Sequence, residues 1–185
     1  MHLTRYSMYK HIHNVFPEGI YGKVLGVSGV DNFKPIINDK KSIVKANFPK
    51  VDMQKLPYKS SSFDCVISDQ VIEHLEDPWK AVKESHRVLK KGGIAIHATC
   101  LLMPIHPCPK DFWRFTPDAL KLLCVDFSEI IDVGSWGNRA AVILPYIWNK
   151  LRFLPIPDDK FHPFNWLATW NDKEYPIMTW IIAKK

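Results

Sequence analysis

Residues 52–100 read DMQKLPYKSSSFDCVISDQVIEHLEDPWKAVKESHRVLKKGGIAIHATC, and the fold follows from how this stretch is parsed. The run FDCVIS at 63–68 is nearly continuous in apolar character, as expected of a strand covered on both faces of a parallel sheet. Asp77 then offers an N-cap side chain. Pro78 falls at the first helical position, where its missing N–H costs nothing. Trp79, Val82, His86 and Leu89 recur at three- and four-residue spacing and predict one buried helical stripe. Gly92-Gly93 is expected to end that helix, with Arg87, Lys90 and Lys91 near the negative end of its dipole. The strand IAIHAT at 94–99 follows at once, so the segment reads as a strand–helix–strand unit.

Outward from this unit the same alternation continues. Towards the N-terminus lie a weak amphipathic helix over 4–15, closed by Pro17 and Gly19, and the strand KVLGV over 23–27. Short strands are expected over 42–47 and, minimally, over 50–52. Towards the C-terminus, Thr116 and Pro117 start a second capped helix over 117–124. A strand over 129–133 and an amphipathic helix over 139–153, interrupted by Pro145, come next. Residues 154–175 read as irregular and aromatic, and 176–183 as a final strand. Strands alternating with helices across short loops predict an α/β domain, a parallel sheet with helices on both faces. The expected organisation is one domain over 1–185, with an N-terminal helical segment over 1–20 and an aromatic-rich insertion over 138–175 before the last strand. In such sheets ligands bind beyond the C-terminal ends of the strands.

Composition narrows the function classes. With 185 residues, 46% hydrophobic and 24% charged, the chain has the make-up of an ordinary globular protein, and disorder is excluded. The net charge of +6 is spread over isolated lysine pairs (Lys40-Lys41, Lys90-Lys91, Lys184-Lys185) rather than a patch, which disfavours nucleic acid as a partner. The longest apolar stretch, AAVILPYIW at 140–148, is about half a membrane span and holds a proline. Four cysteines without C-x-x-C spacing, Cys65 among them inside an expected buried strand, fit reduced thiols in a cytoplasmic protein.

The landmarks within 52–100, taken together, carry a family likeness. Asp52 precedes Leu56-Pro57; Ser62-Phe63-Asp64 precedes Val71-Ile72-Glu73-His74-Leu75; Glu84, Arg87-Val88-Leu89-Lys90 and Gly92-Gly93 follow in order. This pattern resembles the class I S-adenosylmethionine-dependent methyltransferases, in particular their broad small-molecule group. The likeness covers most of 22–137. It implies a Rossmann-like, mostly parallel twisted sheet with an antiparallel last strand, and S-adenosylmethionine as cofactor. It further implies that Asp52 accepts a hydrogen bond from the adenine amino group and that Met53 packs near the ring. By the same likeness Asp69 and Gln70, leaving their strand, line the methionine end, and the turn at Gly26, Ser28 and Gly29 passes beneath it.

The turn departs from the family in two ways. Gly26 stands where the family has an acidic residue, and Val27-Ser28-Gly29-Val30-Asp31 replaces G-x-G-x-G. The second strand ends in Lys45-Ala46-Asn47, leaving Asn47 rather than a carboxylate for the ribose hydroxyls. The segment 28–41 is also too short for a full first helix. Two anchors are thus missing, although Gly26 and Gly29 permit close backbone approach.

Substrate contact is expected from the loop IHPCPKDFWRF at 105–115. Most of the acceleration of a methyl transfer comes from alignment in a dry cleft. His106 is the natural proton acceptor and Asp111 its expected companion, with His74, Trp113 and Arg114 as substrate contacts. An Asp111–Arg114 ion pair that merely orders the loop is the equal alternative. The spacing of His97, Cys100, His106 and Cys108, H-x2-C-x5-H-x-C, matches no common zinc pattern, so no metal is expected. The functional expectation is methyl transfer to a small molecule, a sugar or glycan precursor by analogy of fold. Against it stand a non-catalytic binding protein of the same fold, favoured by the worn turn, and an RNA-directed enzyme, suggested only by the basic charge. A dinucleotide dehydrogenase is disfavoured, since phosphate-binding glycines and a ribose acid are both lacking.

Overall fold

The computed structural model describes residues 2–185, the side chains of Tyr146 and Asn149 excepted. Six strands form one sheet: β1 (Val24–Val27), β2 (Ile43–Ala46), β3 (Phe63–Asp69), β4 (Leu89–Cys100), β5 (Glu129–Trp136) and β6 (Met178–Lys184). Their order is β2-β1-β3-β4-β6-β5. The first four are parallel, and β6 runs antiparallel to both β4 and β5. This is the expected mixed α/β architecture with an antiparallel last strand.

Helices cover both faces. On one, α1 (Tyr6–Val15), α4 (Arg139–Ile147) and α5 (Pro163–Thr169) pack with a 3-10 helix over Val30–Ile36, burying Met8, Ile12, Phe33, Ala141 and Ala168 against Ile67, Ile96 and Ile182. On the other, α2 (Pro78–Val88) and α3 (Pro117–Leu123) bury Ala81, Val82, Leu120 and Leu123 against Val66, Ala95 and Ile181. Both predicted N-caps form: the Asp77 carboxylate accepts from Lys80 N at 2.9 Å and the Thr116 hydroxyl from Ala119 N at 3.2 Å. Among the described residues no helix is long and apolar enough to cross a membrane.

Four local expectations change, the first being that 154–175, expected to be irregular, carries α5, with Pro163 at its first position and His162 Nδ1 accepting from Phe164 N at 3.1 Å. The helix begun at Pro78 ends at Val88 rather than at Gly92-Gly93. Leu89 already pairs with Phe63, and Gly92 and Gly93 serve the irregularity in the ladder that follows. Gly92 takes φ 77°, and a Cβ on Gly93 would lie 2.9 Å from Lys90 O. The helix carbonyls are met instead by Lys185, whose Nζ donates to His86 O and Leu89 O at 2.7 Å each. Trp79 is not buried but 42% exposed, edge-on to Trp113. The strand expected over 50–52 is absent: Val51 N bonds back to Asn47 O, and Asp52 caps a 3-10 turn over Met53–Lys55, so local turns consume the groups a ladder would need. The segment between β1 and β2 holds no α-helix, only the 3-10 helices Val30–Ile36 and Lys40–Ser42.

Candidate functional site

β1 and β3 are parallel neighbours, with Val27 opposite Ser68, so the chain leaves both strands at the same edge of the sheet. Both exits adopt left-handed backbone conformations on residues that are not glycine, Ser28 at φ 41° and Gln70 at φ 56°. Such conformations cost about 1 kcal/mol or more each and persist where surrounding structure imposes them, commonly at binding sites. A cavity of about 710 Å³ opens there. Its wall takes Val27 and Ser28 from the first exit and Gln70 and Val71 from the second; Asp52, Met53 and Gln54 come from the 3-10 turn, and Phe48 and Val51 precede it. The volume lies inside the range of about 300–1,000 Å³ typical of small-ligand sites.

The opposite wall is the loop after β4, through Cys108, Pro109, Lys110 and Phe112, together with His74, Leu75 and Glu76. His74 Nδ1 bonds Lys110 O at 2.7 Å, and Lys110 Nζ pairs with Glu76 at 3.0 Å. Phe112 N and Trp113 N donate to Glu73 O, at 2.9 and 3.1 Å. These bonds hold the loop against the short 3-10 turn over Ile72–His74.

Of the residues expected to bind cofactor, Ser28, Asp52, Met53 and Gln70 share this cavity, as does His74 from the substrate set. Asp52 keeps lone pairs in reserve: Oδ1 accepts from Gln54 N at 2.8 Å, and Oδ2 has only the Gln54 side chain at 3.3 Å. The Gln70 amide is buried and neither its nitrogen nor its oxygen has a partner in the chain. A buried amide left unpaired costs about 1–3 kcal/mol; the adjacent Asp69 carboxyl, which the Gln70 side chain helps to lower, is one partner it can take and a ligand in the cavity is another.

The others lie elsewhere. Gly26 faces Val30, whose Cβ would sit 2.8 Å from an added Cβ, so this glycine serves packing. Gly29 takes φ 81° and lies behind the wall next to Asp69. Asn47 is exposed beyond β2. Asp69 turns away from the cavity: Oδ2 accepts from the Tyr9 hydroxyl of α1 at 2.6 Å, and burial raises its carboxyl above the ordinary range. Trp113 spans to Leu75 O at 2.9 Å.

Arg114 closes a two-pronged pair with Asp111 at 2.5 and 2.7 Å and also donates to Met103 O, Pro104 O and Trp113 O. Arg114 holds the Asp111 carboxyl well below the usual carboxylate range. Asp111 therefore works as the loop's clamp, and its geometry is that of the ordering ion pair. His106 receives a further bond from that clamp, its N–H donating to Asp111 at 2.8 Å, and its ring lies outside the cavity wall. The residues missed at the sequence level are Phe48, Gln54, Glu76, Cys108, Lys110 and Phe112. The sequence points to the loop, but which of its side chains face the cavity is set by the Asp111–Arg114 clamp.

S-adenosylmethionine, which the fold implies, fits these residues. The orphaned Gln70 amide, the spare Asp52 lone pairs and the open Ser28 turn surround one space with apolar walls at Val27, Val51, Met53 and Phe112.

Comparisons with known proteins agree with the geometry. Residues 11–97 match the methyltransferase domain family. A 96-residue stretch is 38% identical to 2-methyl-6-phytyl-1,4-hydroquinone methyltransferase 1 of Oryza sativa subsp. japonica, covering 51% of this chain and 26% of that protein. The chain spans about a quarter of the length of the curated relatives it matches. Among solved structures, an S-adenosylmethionine-dependent methyltransferase from Mesorhizobium loti superposes with a TM-score of 0.57 at 13% identity, covering 98% of each chain. The [4+2]-cyclase SpnF superposes with a TM-score of 0.59 at 15% identity, covering 96% of this chain and 79% of that one. Sheet order, strand-exit cavity and the match over residues 11–97 together support a class I S-adenosylmethionine-dependent methyltransferase domain.

Proposed function

We propose that this chain transfers a methyl group from S-adenosylmethionine to a small molecule. The convergence of Ser28, Asp52 and Gln70 on one cavity at adjacent parallel strand exits carries the reading. When bound, the cofactor supplies an electrophilic sulfonium methyl. The chain's part is to hold and orient: Asp52 accepts from the adenine amino group, Met53 packs on the ring, and Gln70 satisfies its amide on polar atoms of the cofactor. The 108–112 loop, tied down by His74, keeps water from the reacting end.

The acceptor enters between Phe48 and Phe112, which are 59% and 44% exposed at the cavity. Their rings suit stacking on the C–H face of a sugar or on an aromatic ring. A sugar or glycan precursor remains the first acceptor class to assay, with hydroquinones as the second because a relative is named for one. A non-catalytic binding role is the rival, favoured by the replacement of the first helix by the Val30–Ile36 3-10 turn, which leaves fewer amides aimed at the cofactor.

Calorimetric titration with S-adenosylmethionine and S-adenosylhomocysteine tests the proposal. Micromolar binding is expected, weakened by about 1–2 kcal/mol in Asp52→Ala for loss of a charge-assisted hydrogen bond. Absence of heat at millimolar ligand would overturn it. Binding without transfer to any member of either acceptor class would favour the rival.

A further inference from the structure

Beyond the cofactor cavity, three side chains that could ligate a metal meet behind its wall. One ligand atom each from Glu73, Cys100 and His106 lies within 4.8 Å of the others. Glu73 comes from the 3-10 turn after β3, Cys100 is the last residue of β4, and His106 stands on the loop that follows. We propose that Glu73, Cys100 and His106 bind one divalent cation of the zinc class, with His74 flanking the ion on the side of the cofactor cavity.

Three observations support the assignment. Glu73 is fully buried, and its Oε1 has no hydrogen-bond partner, while Oε2 is held by the Thr99 hydroxyl at 2.8 Å. A fixed carboxylate with one oriented, unused oxygen is what a metal ligand requires. His106 Nδ1 lies 2.8 Å from Pro104 O, and a carbonyl can only accept, so Nδ1 carries the proton and Nε2 keeps its lone pair. His74 is arranged alike, with Nδ1 on Lys110 O, Nε2 3.9 Å from Glu73 Oε1, and its ring centroid 5.0 Å from that of His106. A backbone carbonyl on one ring nitrogen is the usual orienting partner of a metal-binding histidine.

The donor set selects the ion. One thiolate, one carboxylate and neutral imidazole balance the charge of a divalent cation, and the mixed sulfur, oxygen and nitrogen donors suit zinc over calcium or magnesium. Tetrahedral zinc with bonds of about 2.0–2.3 Å draws its ligands to about 3.3–3.8 Å from one another, so modest side-chain rotation closes the present spacing. Binding expels the Cys100 thiol proton to solvent and forms the sulfur–metal bond in its place. The ion would fasten the 105–112 loop to the ends of β3 and β4, and its fourth position faces His74.

Cobalt(II) titration of the chelator-stripped chain tests this without cofactor or substrate. One equivalent is expected to saturate with a thiolate-to-cobalt charge-transfer band, and zinc should displace it. Cys108→Ser, an exposed cysteine on the same loop, should keep the band, and Cys100→Ser should abolish it. His106→Ala, at a partly exposed position and expected to fold, should weaken affinity at least about 100-fold, beyond the usual effect of an orienting partner. A wild-type chain without the band at one equivalent overturns the proposal. So does a band that Cys100→Ser retains, or a His106→Ala affinity equal to wild type.

Discussion

Tyr9→Phe removes one oxygen atom from the molecule and tests how α1 is fixed to the sheet. In the wild type the Tyr9 hydroxyl donates to Asp69 Oδ2 at 2.6 Å and accepts from Asn32 Nδ2 at 3.0 Å. Tyr9 is 1% and Asp69 5% exposed, and among the groups that favour the Asp69 carboxylate the Tyr9 hydroxyl is foremost, ahead of the Arg5 charge and the Asn32 and Gln70 side chains. Burial raises both groups, and the tyrosine therefore remains a donor throughout the accessible pH range. A hydrogen bond to an ionised acceptor is worth about 1.5–3 kcal/mol and one between neutral groups about 0.5–1.5 kcal/mol.

Removing the hydroxyl should therefore cost about 2–3 kcal/mol where Asp69 is ionised and about 1 kcal/mol where it is protonated, the changeover lying above the ordinary carboxylate range because burial raises this carboxyl. The sign follows from linkage. Because the folded-state pKa of Asp69 is raised, its contribution to stability is complete below the unfolded pKa and is lost as pH rises through the folded one. The variant raises that pKa further and so loses more at high pH, with a slope no steeper than about 1.4 kcal/mol per pH unit. Urea unfolding of both proteins at half-unit steps from pH 4 to 8 measures the difference. A cost that shrinks as pH rises would refute the Tyr9–Asp69 contact as the source of the effect. A large loss of S-adenosylmethionine affinity would instead show that Asp69 faces the cofactor.

Two further variants probe the scaffold of the site. Arg114→Ala leaves the Asp111 carboxylate, 2% exposed, with the His106 backbone N–H at 2.8 Å and the more distant His106 Nδ1 at 3.5 Å. Because the arginine is itself a quarter exposed, a loss of about 2–3 kcal/mol is expected rather than the full cost of breaking a buried pair. Asp111 is held low in the folded state, so its contribution is present above the unfolded pKa and lost as pH falls; the effect of Arg114→Ala should diminish at acid pH in the same urea assay. Asn138→Ala removes a fully buried amide that caps α4 through Ala141 N at 2.7 Å and donates to Leu167 O and Trp170 O at 3.0 and 2.9 Å. A loss of about 2–3 kcal/mol is expected, lowering the melting temperature by about 4–12 °C, with hydrogen-exchange protection lost first in α4 and α5.

The sequence by itself located, to within a residue at each end, the strands expected over 23–27, 42–47 and 63–68, and it determined the caps at Asp77 and Thr116 and the family landmarks from Asp52 to Gly93. These features are local: a cap reaches three residues, a buried strand is marked by its own run of apolar residues, and neither needs a distant partner to be read. Even there the glycine pair misled, because Gly92 and Gly93 suit a helix end and a strand irregularity equally, and only pairing of Leu89 with Phe63 chose between them. Tertiary structure alone decided where side chains point. Asp69 and Gln70 are adjacent in sequence, yet a hydroxyl 60 positions away draws one towards α1 while φ 56° turns the other into the cavity. The histidines and cysteines at 97, 100, 106 and 108 showed no metal spacing, because the third ligating group beside Cys100 and His106 is Glu73, brought in by β3 lying against β4. Spacing along a chain records neighbours within a turn or two, whereas a site at the exits of parallel strands is assembled across the sheet by contacts that no single stretch contains.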